Sequence, residues 1–262
     1  MTNRPRLILA KATILLKAAL KRFLPGWNRH ICIAPYLATI TVTDNCCLRC
    51  IMCNEWRQPH PHELTTAQWK DVIAQLGEIG IQEINFTGGE PLMRLDLPEL
   101  VRYASGRGLK VGLTTNGLLL NAEKIRQLIT DGVKGFTVSL DAVGGAFDDI
   151  RGVPGAYEKV YQACQALSEF RKSHGIDVYL AFLLMKKTLP YYRDVVAVAE
   201  DLRFPITVNL FDANSYFFTL PQGKEPFWLG SDDQTALKEF QKFFVKKKTV
   251  SPQSQYHSFR EI

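Results

Sequence analysis

"ATITVTDNCCLRCIMC", Ala38–Cys53, joins a run of branched residues to a loop dense in thiols. Ala38–Thr43 has the composition of a buried strand. The stretch Thr43–Cys53 then holds four of the six cysteines in this 262-residue chain. Cys46, Cys50 and Cys53 are spaced C-x3-C-x2-C. Three thiols are one short of a closed tetrahedral metal site. Either a residue elsewhere completes the set, or the metal keeps an open position. Clustered cysteines in a chain of this size read as metal ligands in a reducing compartment, hence the cytoplasm, and not as a disulfide framework. Cys164 falls in a helical pattern and reads as core packing. Cys32 reads as a buried structural thiol.

Five further runs rich in branched residues follow: Glu83–Thr87, Lys110–Thr115, Gly135–Leu140, Asp177–Leu184 and Ile206–Phe211. Helical patterns separate them. Thr65 with Gln68 forms a capping box that opens a helix to about Ile79. Asp96 or Pro98 opens the next, to Gly106. Asn121 caps a third that stops at Gly132. Gly155–Lys172 and Pro190–Leu202 supply two more, and Ser231 with Gln234 opens the last, to about Lys247. Strand alternating with helix means right-handed βαβ units and a parallel sheet. The expected fold class is α/β, with six units forming an open sheet or a partial barrel. In a barrel, functional groups collect on the rim where strands end.

Each of the first four strands runs directly into a polar signature. The cysteine loop follows the first, Gly88-Gly89-Glu90-Pro91 the second, Thr114-Thr115-Asn116-Gly117 the third and Ser139-Leu140-Asp141 the fourth. Parallel strands put all four on one rim. Thiolates favour zinc or iron–sulfur clusters. His60 and His62 are near enough in sequence to complete a zinc site, which leaves the other three signatures without a role. A cubane cluster held by three thiolates leaves one iron open.

In motif order and strand placement, Tyr36 to Ala213 resembles the radical S-adenosylmethionine superfamily. The resemblance implies a partial (β/α)6 barrel holding a [4Fe-4S] cluster on Cys46, Cys50 and Cys53. It implies that S-adenosylmethionine chelates the open iron and is cleaved reductively to a 5′-deoxyadenosyl radical. That radical takes hydrogen from a substrate, and no further catalytic side chain is assigned. Gly88, Gly89 and Glu90 would receive the methionine amino group. Ser139 matches a position contacting ribose or carboxylate, and Asp141 orients neighbouring groups or reaches substrate. Thr114 and Asn116 face the same rim, with an Asn-Gly turn as the plain alternative. Arg151, in "FDDIRGVPGAYEKV" (Phe147–Val160), would pair with the methionine carboxylate. Its alternative is a surface ion pair with Asp148 or Asp149. Met52 stands where members usually carry an aromatic residue near adenine, and a thioether can fill that space. Cys47 is a spectator by spacing. Asn85 replaces the arginine of the molybdenum-cofactor branch.

The sequence divides into a basic N-terminal helix and linker (1–35), the barrel core (36–230), and a closing helix with tail (231–262). No second cysteine cluster follows the barrel, so the chain either works with one cluster or is a truncated member. Before Asp44 there is no acidic residue, and this segment carries much of the formal net charge of +6. Residues 6–24 are apolar but interrupted by Lys11, Lys17, Lys21 and Arg22, a poor membrane span. They form either an amphipathic helix docked on the core or one lying on the inner face of an anionic membrane. The remainder is near neutral, and no nucleic-acid surface is expected. The expected partners are S-adenosylmethionine, an unidentified substrate and an electron donor such as flavodoxin or ferredoxin. Peptide modification or cofactor biosynthesis is the favoured activity. A lipid-modifying member and a non-enzymatic zinc-stabilised or degenerate-barrel module are the alternatives.

Overall fold

The computed structural model describes residues 35–57, 62–211, 227 and 229–247. The expected N-terminal helix, Cys32, His60 and the tail beyond 247 lie outside them. Six strands form one sheet: β1 (Leu37–Thr41), β2 (Glu83–Thr87), β3 (Lys110–Thr115), β4 (Val133–Ser139), β5 (Asp177–Leu184) and β6 (Ile206–Leu210). Their order is sequential, β1 to β6, and every neighbouring pair is parallel. Sequential right-handed crossovers put the described helices on one face, and the twisted sheet curls into a half-barrel.

The helices are α1 (Thr66–Glu78), α2 (Leu97–Gly106), α3 (Ala122–Asp131), α4 (Gly144–Arg151), α5 (Ala156–His174), α6 (Tyr192–Leu202) and α7 (Gln234–Lys247). Local chemistry sets their ends. Thr65 Oγ1 accepts from the Gln68 N–H, and Gln68 Oε1 accepts from the Thr65 N–H at 2.9 Å. Asn121 Oδ1 accepts from the Lys124 N–H at 2.8 Å, and α3 stops at Gly132 with φ 123°. Helix α4 has no counterpart in the sequence reading.

Strand alternation sorts the two faces. Ile84, Phe86, Val111, Leu113, Phe136, Val138, Val178, Leu180, Ile206 and Val208 are buried beneath the helices. Their alternates Asn85, Thr87, Gly112, Thr114, Thr137, Thr207 and Asn209 are only half-buried and line the concave face. Beyond β6, α7 closes the helical layer through Phe240, which packs on Tyr192 at 5.1 Å and Phe244 at 4.6 Å between ring centroids.

β1 begins and ends earlier than the run Ala38–Thr43 suggests. Val42 N–H still donates to Thr87 O at 2.9 Å, but Thr43 O accepts instead from Gly89 N–H at 2.8 Å. The chain thus leaves the ladder to meet the loop after β2. β4 starts two residues earlier than Gly135 because a bulge sets Val111 opposite Val133 and Gly112 opposite Gly135.

Candidate active site

The cysteine loop is gripped from two sides. On the β2 side, Gly89 N–H donates to Thr43 O and Glu90 N–H to Asn45 O at 2.7 Å. A Cβ on Gly88 would lie 2.2 Å from Thr43 O, and one on Gly89 2.4 Å from Asn45 O. Only glycine fits either position, because backbone presses on backbone. On the α4 side, Arg49 N–H donates to Arg151 O and Ile51 N–H to Ile150 O, both at 3.0 Å. Gly152, at φ 69°, ends α4, and a Cβ there would lie 2.4 Å from Arg49 O.

Glu90 joins the signatures. Its carboxylate is fully buried and accepts from Leu92 N–H at 3.1 Å, the Thr115 hydroxyl at 2.7 Å and Asn116 N–H at 2.8 Å. Burial pushes its pKa up to about 7, partly offset by the donors from Asn116, Thr115 and Leu92. Asn116 in turn reaches the cysteine loop. Its Nδ2 lies 3.4 Å from Cys47 Sγ and 3.8 Å from Cys46 Sγ, while its Oδ1 accepts from Leu118 N–H. The turn role and the rim role of Asn116 therefore coexist.

Arg151 is buried and does not form a surface pair with Asp148 or Asp149. Nη2 donates to the Asp141 carboxylate, and Nη1 lies 3.6 Å from Cys50 Sγ. Asp141 Oδ1 also accepts from Leu183 N–H at 2.8 Å, which ties the end of β4 to β5. Asp148 instead accepts from Gly155 N–H and Tyr157 N–H at the start of α5. Two residues selected separately from the sequence thus form one ion pair beside a thiol.

The remaining selected residues are spread over the same region. Thr114 Oγ1 accepts from Asn85 Nδ2 at 2.9 Å on the concave wall. Ser139 is half-buried at the end of β4. Met52 is 3% exposed and belongs to the apolar core. Glu63 and Arg94 carried no motif and were missed. Glu63 Oε1 accepts from the Thr43 hydroxyl, Asp44 N–H and Asn45 Nδ2. Arg94 donates to Val42 O and Leu64 O. Together they brace the start of the cysteine loop.

The pKa values of the Cys46, Cys50 and Cys53 thiols are all raised. Burial raises Cys50 against the pull of Arg151, and burial pushes Cys53 up to about 11. A hydrogen bond from Cys46 brings Cys47 down to about 7, and the same contact with burial raises Cys46. Metal binding must displace these protons. The donor set fits a cluster. Three soft thiols share one loop, and Arg151 Nε is buried without a hydrogen-bond partner beside them. Among the described residues no three His, Cys, Asp or Glu side chains gather closely enough for a single ion. His62 is exposed.

The half-barrel and its rim define the class. The chain belongs to the radical SAM superfamily, whose family model matches residues 40–187. That family uses a [4Fe-4S] cluster and S-adenosylmethionine. Among its relatives, the AdoMet-dependent heme synthase of Oleidesulfovibrio alaskensis is 37% identical over 164 residues, covering 62% of this chain and 41% of that protein. The PqqA peptide cyclase of Bradyrhizobium diazoefficiens is 29% identical over 171 residues, covering 64% and 44%. The crystal structure of Streptococcus suis SuiB bound to S-adenosylmethionine superposes with a TM-score of 0.67 at 14% identity, over 88% of this chain and 53% of that one. The chain spans about two fifths of the length of the curated relatives it matches. Among the described residues no helix is long and apolar enough to cross a membrane.

Proposed function

We propose that this chain is the catalytic core of a radical S-adenosylmethionine enzyme, with Cys46, Cys50 and Cys53 as the three cluster ligands. The observation that carries this is the clamping of the C-x3-C-x2-C loop between the Gly88–Glu90 loop and α4, beside a buried arginine. Cluster and cosubstrate, when bound, supply one-electron cleavage of the sulfonium and thereby hydrogen abstraction. The residues supply placement. Glu90 is committed to three internal donors, so the backbone of Gly88–Glu90 receives the methionine amino group and the carboxylate holds the rim together. The orphan Nε of Arg151 is the donor left for the methionine carboxylate. Ser139 and Thr114 face ribose or substrate, and Met52 supports the adenine side through the core.

The described strands present hydroxyls and amides to the concave face: Asn85, Thr87, Thr114, Thr137, Thr207 and Asn209. Glu83, Lys110 and Asp177 share that face at the N-terminal strand ends, where Lys110 pairs with both carboxylates. Such a wall suits a polar substrate, in peptide modification or cofactor biosynthesis. The reduced cluster calls for a low-potential donor of the flavodoxin or ferredoxin kind, in a reducing compartment. Peripheral contact with an anionic membrane through residues 6–24 rests on their charge pattern alone.

The test is reductive cleavage of S-adenosylmethionine under anaerobic conditions. The wild-type chain should release 5′-deoxyadenosine and methionine, and the Cys46→Ala/Cys50→Ala/Cys53→Ala variant neither. Persistent cleavage by the triple variant would show that the ligands lie elsewhere.

A further inference from the structure

Buried cations are costly unless paired, and Arg151 is paired by Asp141. That pair alone does not explain where the guanidinium points. The Arg151 side chain is 9% exposed and that of Asp141 1%, and Cys50 is 6% exposed. The guanidinium has two anchors in this dry pocket. Nη2 is held by Asp141, whose other oxygen is fixed by Leu183 N–H at 2.8 Å. The Phe147 ring lies under it, 5.4 Å from the guanidinium carbon to the centroid. These two contacts leave Nη1 aimed at Cys50 Sγ, 3.6 Å away. Backbone bonds from Arg49 and Ile51 to Arg151 and Ile150 lock α4 to the cysteine loop, so the N–H and the sulfur move as one unit.

Reduction potentials of iron–sulfur clusters follow net charge, hydrogen bonds to the sulfurs and solvent exposure. Groups behind the ligands tune a metal site as well as orient it. Resting on the reading of Cys50 as a cluster ligand, we propose that Arg151 is a positioning residue that raises the cluster's reduction potential by donating an N–H···S bond to Cys50. Asp141 is its counterweight. The guanidinium withdraws electron density from the sulfur and stabilises the added electron. The carboxylate screens that positive charge and fixes the direction of Nη1. The two residues therefore act on the potential with opposite sign. An arginine serving only to hold the loop would show no such pattern.

The experiment is a dye-mediated redox titration of the reconstituted chain without S-adenosylmethionine, followed by electron paramagnetic resonance of the reduced cluster. Iron and sulfide are counted first in every sample. Arg151→Met should lower the midpoint by about a tenfold change in the reduction equilibrium, about 59 mV for a one-electron couple. Asp141→Asn, which leaves the guanidinium unscreened, should raise it. Arg151→Met leaves a carboxylate buried without its partner and can fail to load. The double variant Asp141→Asn/Arg151→Met keeps the local charge balanced, and its midpoint should fall between wild type and Arg151→Met. A wild-type chain that takes up no cluster overturns both the ligand reading and the tuning role. Loaded variants with the wild-type midpoint, or single variants shifted in the same direction, overturn the tuning role and leave the ligand reading intact.

Discussion

Replacing Glu90 by Gln separates the electrostatic cost of the rim's central carboxylate from its hydrogen bonds. The side chain is fully buried and takes three donors, yet burial still raises its pKa from 4.5 to about 7. A folded-state pKa above the unfolded one means that the folded chain binds the proton more tightly. The associated stability is fully present below pH 4.5 and is lost as pH rises through about 7. At 1.36 kcal/mol per unit, the loss between pH 5 and pH 8 is about 2.5 kcal/mol. Protonated Glu90 and the glutamine that replaces it share the same shape, and each turns one end of the group, an O–H or an NH2, into a donor facing the N–H groups around it. The two chains should therefore unfold within about 1 kcal/mol of each other at pH 5, roughly the value of a single net hydrogen bond. Glu90→Gln should then be the more stable by about 2 kcal/mol at pH 8, since its own amide does not titrate. Urea unfolding of the metal-free chain across this range is the assay, because cluster loading then does not enter. Parallel stability profiles for the two chains would refute the placement of an ionisable, desolvated carboxylate at this position.

Other perturbations probe neighbouring parts of the account. Gly89→Ala places a methyl 2.4 Å from Asn45 O, so the cysteine loop must shift. It should cost about 1–3 kcal/mol by denaturant titration and reduce iron uptake more than Gly106→Ala, where a Cβ meets nothing. Because burial holds Cys50 and Cys53 above the ordinary thiol range, cluster loading should release protons and proceed further at pH 8.5 than at pH 6.5. Iron content of reconstituted samples at the two pH values checks this, and equal loading would count against it. Phe240→Ala, in the aromatic group that docks α7 on Tyr192, should destabilise the chain by about 3–5 kcal/mol in thermal or urea unfolding. A loss under 1 kcal/mol, the range of ordinary surface substitutions, would mean that α7 is not part of the core.

Strand and helix patterning was legible where the signal is local. β2, β3 and β5 coincide with their branched runs, and Asn121 and Gly132 bound α3 as their chemistry dictates. The rim order was legible because each signature abuts a strand, so topology alone collects them. Helix α4 was not. It is short, opens on Gly144-Gly145, and its Asp148 bonds forward to the start of α5, so apolar periodicity is weak. The surface pair with Asp148 or Asp149, the alternative to a methionine-carboxylate role for Arg151, does not form, because Arg151 pairs with buried Asp141 across the loop. The glycines of the second signature allow a close approach of backbone, and the backbone that approaches is that of the cysteine loop. Glu63 and Arg94 act through single long-range contacts, and no sequence pattern announces such contacts.

The central claim is that Cys46, Cys50 and Cys53 hold a cluster with an open iron. Anaerobic reconstitution with iron and sulfide, followed by elemental analysis, tests it most directly. The account predicts a brown protein with about four iron and four sulfide per chain, absent from the Cys46→Ala/Cys50→Ala/Cys53→Ala variant. Stoichiometric zinc without sulfide, bound by the same three thiols, would contradict it.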